Sequence, residues 1–188
     1  MKNKKFTVFD MTVIGLMAAL CYVGTLFRIE IPTPLGKTMI HLGNVFCLLS
    51  GLLFGGMKGA LSSGIGSAIF DLLNGWATSA PSTFINKFVM GFLAGFIPRL
   101  KNKNGDSLAF NIIGAACGIY AYNVLYLTYS FLKNIVLGSA VQTAWTDVIF
   151  KAPISFLNGT LALIVSVILV SILKPLLTKA GIYRKLSK

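Results

Sequence analysis

The sequence predicts an all-α integral membrane protein, a bundle of six transmembrane helices that forms one domain over residues 1–188. Of the 188 residues, 55% are hydrophobic and only 12% are charged, whereas a soluble domain carries about 25% charged residues. Mean hydropathy is +0.79, and several apolar runs approach the roughly 20 residues that cross a hydrocarbon core. The sequence lacks the alternating segments of about ten residues that are typical of a transmembrane barrel.

Six apolar runs define the predicted helices. Pro81 suits the first turn of the fourth helix, and Pro175 is expected just beyond the sixth. Gly51, Gly55 and Gly59 are spaced by four along the second and third helices, which are therefore expected to pack backbone to backbone. The six runs cover residues 7–27, 42–55, 58–74, 81–97, 108–132 and 147–173.

A polar loop is expected between the first two helices, over residues 28–41. Pro32 and Pro34 disfavour helix there and stiffen the chain. The triplet Gly36-Lys37-Thr38 looks like the end of a phosphate-binding loop, but Ile31 stands where the first glycine of that motif is required. The sequence therefore predicts no nucleotide site in this loop.

The basic residues predict the orientation in the membrane. The net charge is +12, from 17 Lys and Arg against 5 Asp and Glu. Such a charge can indicate nucleic-acid binding, but these residues lie mainly between and beyond the apolar runs, which fits membrane topology better. Six helices bring both termini to one side, and the positive-inside rule makes that side cytoplasmic. The 12 basic residues assigned to it are Lys2, Lys4, Lys5, Lys58, Arg99, Lys101, Lys103, Lys174, Lys179, Arg184, Lys185 and Lys188.

The chemistry-bearing residues do not indicate an enzyme. Cys21, Cys47 and Cys117 lie in apolar runs without metal-ligand spacing, so we expect buried hydrophobic side chains. His41 is the single histidine of the sequence, and no spacing supports a pair of nucleophile and base. The sequence predicts no catalytic residue, metal or cofactor.

Polar and charged residues inside the apolar runs predict a binding site. A charge in a bilayer is costly, so it usually faces a partner or a water-filled cavity. Asp71 and Lys87 flank a polar turn, and Lys151 and Asn158 share one face of the sixth helix. The predicted topology puts them towards the outer ends of the helices, which favours a cavity open to the outside. The predicted substrate-binding residues are Asn44, Asp71, Trp76, Asn86, Lys87, Tyr122, Asn123, Tyr126, Lys151 and Asn158.

Plainer interpretations of these residues stay open. Asp71 and Lys87 could form a structural ion pair between neighbouring helices. The tyrosines, with Trp76 and Trp145, could be an interfacial aromatic belt. The polar stripe on the sixth helix, which begins at Asp147, could be a structural seam.

Four motifs resemble those of a known family, the substrate-binding S components of energy-coupling factor (ECF) vitamin transporters. Within that family, the riboflavin-transporter-like subgroup is the most similar, and it includes binders of hydroxymethylpyrimidine and pyridoxine. The resemblance covers nearly the whole chain. The motifs are His41-Leu42-Gly43-Asn44, the glycine-rich hairpin over residues 52–59, Asp71-Leu72-Leu73-Asn74-Gly75, and Pro81 with Ile85-Asn86-Lys87.

The resemblance implies partners. S components capture a vitamin outside a prokaryotic cell membrane and associate with a transmembrane coupling subunit and two cytoplasmic ATPases. The family docks through an alanine-x-x-x-alanine surface on the first helix, which corresponds here to Gly15, Ala18 and Ala19, with glycine in place of the first alanine. The loop after this helix gates the pocket in the family, and the corresponding residues here are Pro32, Pro34 and His41.

We therefore expect a high-affinity capture subunit of an ECF-type ABC importer, with ATP hydrolysis on partner subunits. Hydroxymethylpyrimidine or pyridoxine is preferred because neither needs a cluster of basic residues, and riboflavin stays open. The alternatives are a stand-alone facilitator or channel and, less favoured, an intramembrane enzyme. Lys151→Met and Asn158→Leu are expected to weaken ligand binding and to leave the fold intact.

Overall fold

The computed structural model describes residues 6–186, and most of this part is helical. Several predicted inside charges, Lys2, Lys4, Lys5 and Lys188, lie outside the described residues, as do the side chains of Lys101 and Lys185. Two short 3₁₀ segments, Ala77–Ser79 and Ile97–Asn102, flank α4. In chain order the elements are α1 (Val8–Leu26), β1 (Arg28–Thr33), β2 (Gly36–His41), α2 (Gly43–Phe54), α3 (Gly56–Leu73), α4 (Ala80–Phe96), α5 (Leu108–Val136), α6 (Val141–Lys179) and α7 (Ile182–Leu186).

The number of membrane crossings differs from the predicted six. Within residues 6–186 there are seven α-helices, and four helical stretches are long and apolar enough to cross a membrane: Val8–Leu26, Ala77–Leu100, Leu108–Val136 and Val141–Lys179. The apolar helix α2 has only 12 residues. A mostly helical protein with membrane-length apolar helices is therefore confirmed, whereas six crossings and cytoplasmic termini stay predictions.

The predicted polar loop over residues 28–41 is a β-hairpin, so the all-α prediction is wrong in this segment. Strands β1 and β2 pair antiparallel, from Arg28 opposite His41 to Thr33 opposite Gly36. The prolines exclude a helix but not a strand, because a two-stranded sheet has only edge strands, where proline is tolerated. We call residues 28–41 the hairpin below.

The last two long helices extend beyond their predicted ends. Helix α5 runs on to Val136, and α6, with 39 residues, begins at Val141. The predicted loop over residues 133–146 therefore shrinks to four residues that turn at Gly138, whose φ of 86° suits glycine. Pro175 lies inside α6 rather than beyond it. Proline costs a helix one hydrogen bond, but packing against neighbouring helices allows a membrane helix to continue.

A glycine contact joins α2, α3 and α4, and we call it the glycine seam (Gly51, Gly59, Gly91 and Gly95). A Cβ on Gly59 would lie 2.4 Å from the Gly51 Cα, and one on Gly51 would lie 2.5 Å from the Gly91 carbonyl oxygen. The expected backbone packing of the second and third helices is therefore present, and α4 joins it. This close contact fixes the three helices relative to one another.

Helix α2 lies at the centre of the apolar core. Leu48 and Leu52 are fully buried and pack with Cys21 of α1 and with Met90 and Ile119 of α4 and α5. At the end of the bundle opposite the hairpin, the Arg99 guanidinium donates to the last carbonyl oxygens of α2 at 3.0–3.2 Å. This cation offsets the unpaired carbonyls and the negative dipole end of the helix.

Candidate functional site

A cavity of about 350 Å³ lies beneath the hairpin, on the side of the bundle where α3 and α5 end and α4 and α6 begin. Most of the predicted substrate-binding residues line it. They are Asp71, Trp76, Asn86, Lys87, Tyr122, Tyr126, Lys151 and Asn158. The two other predicted residues, Asn44 and Asn123, are buried outside the lining. Asn44 accepts from Lys87, and Asn123 accepts from Ser155 at 2.8 Å.

Lys87 is the most enclosed charged group of the cavity, with an exposed fraction of 3%. Its Nζ donates to the Asn44 Oδ1 and lies 3.7 Å from the centre of the Tyr122 ring, a cation–π geometry. The Asp71 carboxylate instead accepts from the Thr83 hydroxyl at 2.5 Å. The structural ion pair between Asp71 and Lys87 is therefore not formed, although both residues line the cavity.

Lys151 differs from Lys87 because it has an anionic partner. Its Nζ lies 2.6 Å from the Asp147 Oδ2 and donates to the Ser130 hydroxyl at 2.8 Å. Asp147 is fully buried. Removing the lysine would leave a buried carboxylate without its counter-ion, which is strongly destabilising. The geometry therefore argues against the expectation that Lys151→Met leaves the fold intact, and we now predict that this variant is destabilised.

Two tyrosines form an aromatic wall of the cavity. Tyr122 and Tyr126 stack with ring centroids 5.9 Å apart and planes 14° apart. The belt interpretation is wrong for these two rings, which line the cavity, whereas it fits Trp145, which is 52% exposed. Trp76 lines the cavity, and its buried Nε1 has no hydrogen-bond partner.

The hairpin covers the cavity and contributes to its lining. His41 lines the cavity, whereas Pro32 and Pro34 do not. Burial, followed by the positive charges of Lys87 and Arg28, holds the pKa of His41 well below its ordinary value of 6.5. The imidazole is therefore neutral, and its Nδ1 accepts from the Gly43 N–H at 3.1 Å, which leaves the proton on Nε2.

Several lining residues were not predicted. Ser130, Lys133 and Asn134 on α5 contribute to the cavity, and so does Thr38, which lies 3.1 Å from the Tyr126 hydroxyl. A signal was present for two of them, because Ser130 and Asn134 continue the four-residue spacing of Tyr122 and Tyr126. The apparent end of the fifth helix at residue 132 concealed Asn134, whereas Ser130 lies within the predicted helix and was overlooked.

The predicted docking residues do not share one face. A Cβ on Gly15 would meet nothing within 4 Å, and Ala19 is exposed. Ala18 is buried against α3, because a Cβ on Gly66 would lie 2.2 Å from the Ala18 carbonyl oxygen. Ala18 therefore packs internally, and the outward small surface consists of Gly15 and Ala19.

The fold and the cavity define a class: a helical membrane protein with an internal polar and aromatic site beneath a hairpin. Among the described residues no group of three or more His, Cys, Asp or Glu side chains could hold a metal ion. A solved structure described as "Structure and mechanism of the S component of a bacterial ECF transporter" aligns with a TM-score of 0.68 at 17% identity. The alignment covers 89% of this chain and 96% of that one, which shows a shared fold.

The family model described as "ECF-type riboflavin transporter, S component" matches residues 5–175. The chain belongs to this family, so the predicted S component is confirmed, and the family comprises substrate-binding transporter subunits rather than enzymes. A UPF0397 protein of Streptococcus pneumoniae is 32% identical over 129 residues, 64% of this chain and 68% of its own. A Pyrococcus woesei protein, "Uncharacterized protein in gap 3'region", is 25% identical over 126 residues, 66% of this chain and 80% of its own.

Proposed function

We propose that this S component captures a water-soluble vitamin or vitamin precursor outside a prokaryotic cell, with hydroxymethylpyrimidine or pyridoxine preferred and riboflavin as the third candidate. The observation that carries this proposal is the combination of a stacked tyrosine wall with buried polar groups in one cavity. Flat heterocycles are held by aromatic faces and oriented by a few fixed polar groups.

The size and polarity of the cavity support a small heterocycle. Its volume of about 350 Å³ lies at the lower end of the range for ligand pockets. A single ring with short substituents suits that space better than the three fused rings and sugar-like chain of riboflavin. Asp71 can accept from an amino or hydroxyl group of the ligand, while Lys87, Asn86 and Asn158 can donate to ring nitrogens or hydroxyl oxygens.

The distribution of charge supports an outward-facing cavity. Lys58, Arg99 and Lys174 lie at the end of the bundle opposite the hairpin, where Lys58 pairs with Asp10 and Lys174 pairs with Asp106. Under the positive-inside rule that end faces the cytoplasm. The hairpin and the cavity then face the outside, and the hairpin acts as the gate.

Family membership implies a module with a transmembrane coupling subunit and ATPases. We infer that Gly15 and Ala19 on α1 form part of the surface that receives the coupling subunit, because small exposed residues allow close approach of another helix. ATP hydrolysis takes place on the ATPase partners, and this chain supplies the substrate site.

The test is to identify the ligand directly. The protein is purified in detergent without added vitamin, and co-purified small molecules are identified by mass spectrometry. Calorimetric titration with hydroxymethylpyrimidine, pyridoxine and riboflavin then ranks the three candidates. Tight binding of one of them supports the proposal, whereas no binding of any candidate and no co-purified heterocycle would refute it.

Reconstitution separates the alternatives. Proteoliposomes that contain this chain alone are expected to bind the ligand without accumulating it, and uptake is expected only after the ATPase module is added. Uptake by the chain alone would instead identify a facilitator. Chemical conversion of the ligand would identify an enzyme.

A further inference from the structure

The tip of the hairpin is held by one buried carboxylate. Asp147 of α6 is fully buried, and its Oδ1 accepts from the Thr33 hydroxyl at 2.7 Å and from the Leu35 N–H at 3.2 Å. These two donors flank Pro34, at the turn between β1 and β2. Hydrogen bonds to an ionised acceptor are roughly twice as strong as bonds between neutral groups.

The other oxygen of the same carboxylate contacts side chains of α5 and α6. The Asp147 Oδ2 lies 2.6 Å from the Lys151 Nζ and accepts from the Asn134 side chain at 3.0 Å and from the Ser130 hydroxyl at 3.4 Å. One side chain therefore divides its bonds between the hairpin tip and the walls formed by α5 and α6.

Lys151 connects this carboxylate to the cavity. An ammonium has three N–H donors, and two of them are used by Asp147 and Ser130. Lys151 also lines the cavity. The third donor is therefore available to an acceptor atom of a ligand, which would be separated from the hairpin tip by only two side chains.

We propose that Asp147 is a latch: a positioning residue that holds the hairpin closed and couples its closure to ligand binding through Lys151. The base of the hairpin is fixed because the chain continues from it into α1 and α2, so opening requires movement of the tip. Opening leaves Asp147 Oδ1 without two donors. A ligand that orients Lys151 strengthens the closed arrangement, and by reciprocity closure retains the ligand.

The Thr33→Val variant tests the latch because it removes only the hydroxyl donor and leaves the contacts of Asp147 with Lys151 and Asn134 intact. Thr146→Val is the matched control, since Thr146 adjoins Asp147 but is exposed and donates within its own helix to Gln142. The first measurement is amide hydrogen exchange of the full-length protein without ligand. Losing one such bond to a carboxylate predicts about 10- to 150-fold faster exchange in the hairpin for Thr33→Val, with helix interiors unchanged and no effect of Thr146→Val.

The second measurement is the dissociation rate of the candidate vitamin that the wild-type protein binds. This experiment rests on the proposed function, because it needs a vitamin that binds. Thr33→Val is expected to accelerate dissociation by up to about 10- to 150-fold with little change in association. Unchanged hairpin exchange would overturn the latch whatever the ligand. Faster exchange with unchanged dissociation would overturn the coupling. Failure of all three vitamins to bind would refute the proposed function, while the exchange result would still decide the latch.

Discussion

Two lysines line the same cavity, but the structure predicts opposite consequences for folding when each is replaced by methionine. Lys151 neutralises Asp147, which is fully buried, across 2.6 Å. Lys87 is as deeply buried but contacts an amide and an aromatic ring rather than a carboxylate. Lys151→Met therefore leaves a buried charge unpaired, whereas Lys87→Met removes one.

The magnitudes follow from these contacts. Breaking a buried ion pair by removing one partner costs about 3–5 kcal/mol, so Lys151→Met should lower the free energy of unfolding by that amount. Lys87→Met leaves the Asn44 oxygen without a donor, which costs about 1–3 kcal/mol. It also removes the desolvation penalty of a buried ammonium, several kcal/mol per ion. We expect the Lys87 variant to be at least about 2 kcal/mol more stable than the Lys151 variant.

Ligand binding should be weakened in both variants. Each loses a charged donor towards the ligand, worth about 1.5–3 kcal/mol, or roughly a 10- to 150-fold weaker Kd. The assays are equilibrium unfolding in mixed micelles and calorimetry with the vitamin that the wild-type protein binds. Lys174→Met is the control, because its pair with the exposed Asp106 lies at the opposite end of the bundle. Equal destabilisation at positions 87 and 151 would refute the reasoning, and unchanged affinity in both variants would refute the assignment of the cavity.

Three further predictions use other parts of the molecule. Gly59→Ala should lower the thermal unfolding midpoint, because its Cβ would lie 2.4 Å from the Gly51 backbone. Gly15→Ala is the control and should leave the midpoint unchanged, because its Cβ would meet nothing within 4 Å; thermal scans of both variants measure the two midpoints. Ala19→Leu should impair co-purification with the coupling subunit and spare ligand affinity, because the residue is exposed on α1; loss of calorimetric binding would show an internal role instead. Burial lowers the pKa of His41 in the folded protein, so below about pH 6.5 the histidine is protonated in the unfolded chain but not in the folded one, and stability falls as the pH falls. His41→Gln should therefore flatten the dependence of the unfolding midpoint on pH between 7.5 and 5.5.

The helices were predictable because apolar runs and small-residue spacing are local signals. The hairpin was not, because Pro32 and Pro34 exclude a helix without specifying what replaces it. The two strands pair through a turn at Pro34, and the hairpin is held over the cavity by tertiary contacts. Local sequence patterns do not indicate such contacts. The extension of α6 through Pro175 was missed for a similar reason, since packing by neighbouring helices overrides the usual effect of proline.

The cavity was predictable to the extent that polar residues inside apolar runs must face inward. That rule does not distinguish residues that line the cavity from buried polar residues that pack behind the lining. Asn44 and Asn123 obey the rule as well as Asn86 and Asn158 do, yet they lie behind the wall and support it. The hydrogen-bond partner of Lys87 could not be predicted from the sequence either. Both Asp71 and Asn44 were candidates, and only the packing of the helices brings Lys87 to the Asn44 amide.

The contrast between fixed and releasable contacts indicates how such a site can bind tightly and still open. The glycine seam brings the backbones of α2, α3 and α4 into direct contact, so these helices have no space in which to shift. The hairpin is attached to α5 and α6 by polar bonds, through Thr33 and Leu35 to Asp147, Thr38 to Tyr126, and His41 to Asn158. Polar bonds can be exchanged for water at small net cost, whereas packed backbones cannot separate without exposing unsatisfied surface. We therefore expect the path to the cavity to run through the hairpin. Because only Phe27 separates α1 from β1, we expect a partner that docks on α1 to act on the segment that leads directly into the hairpin.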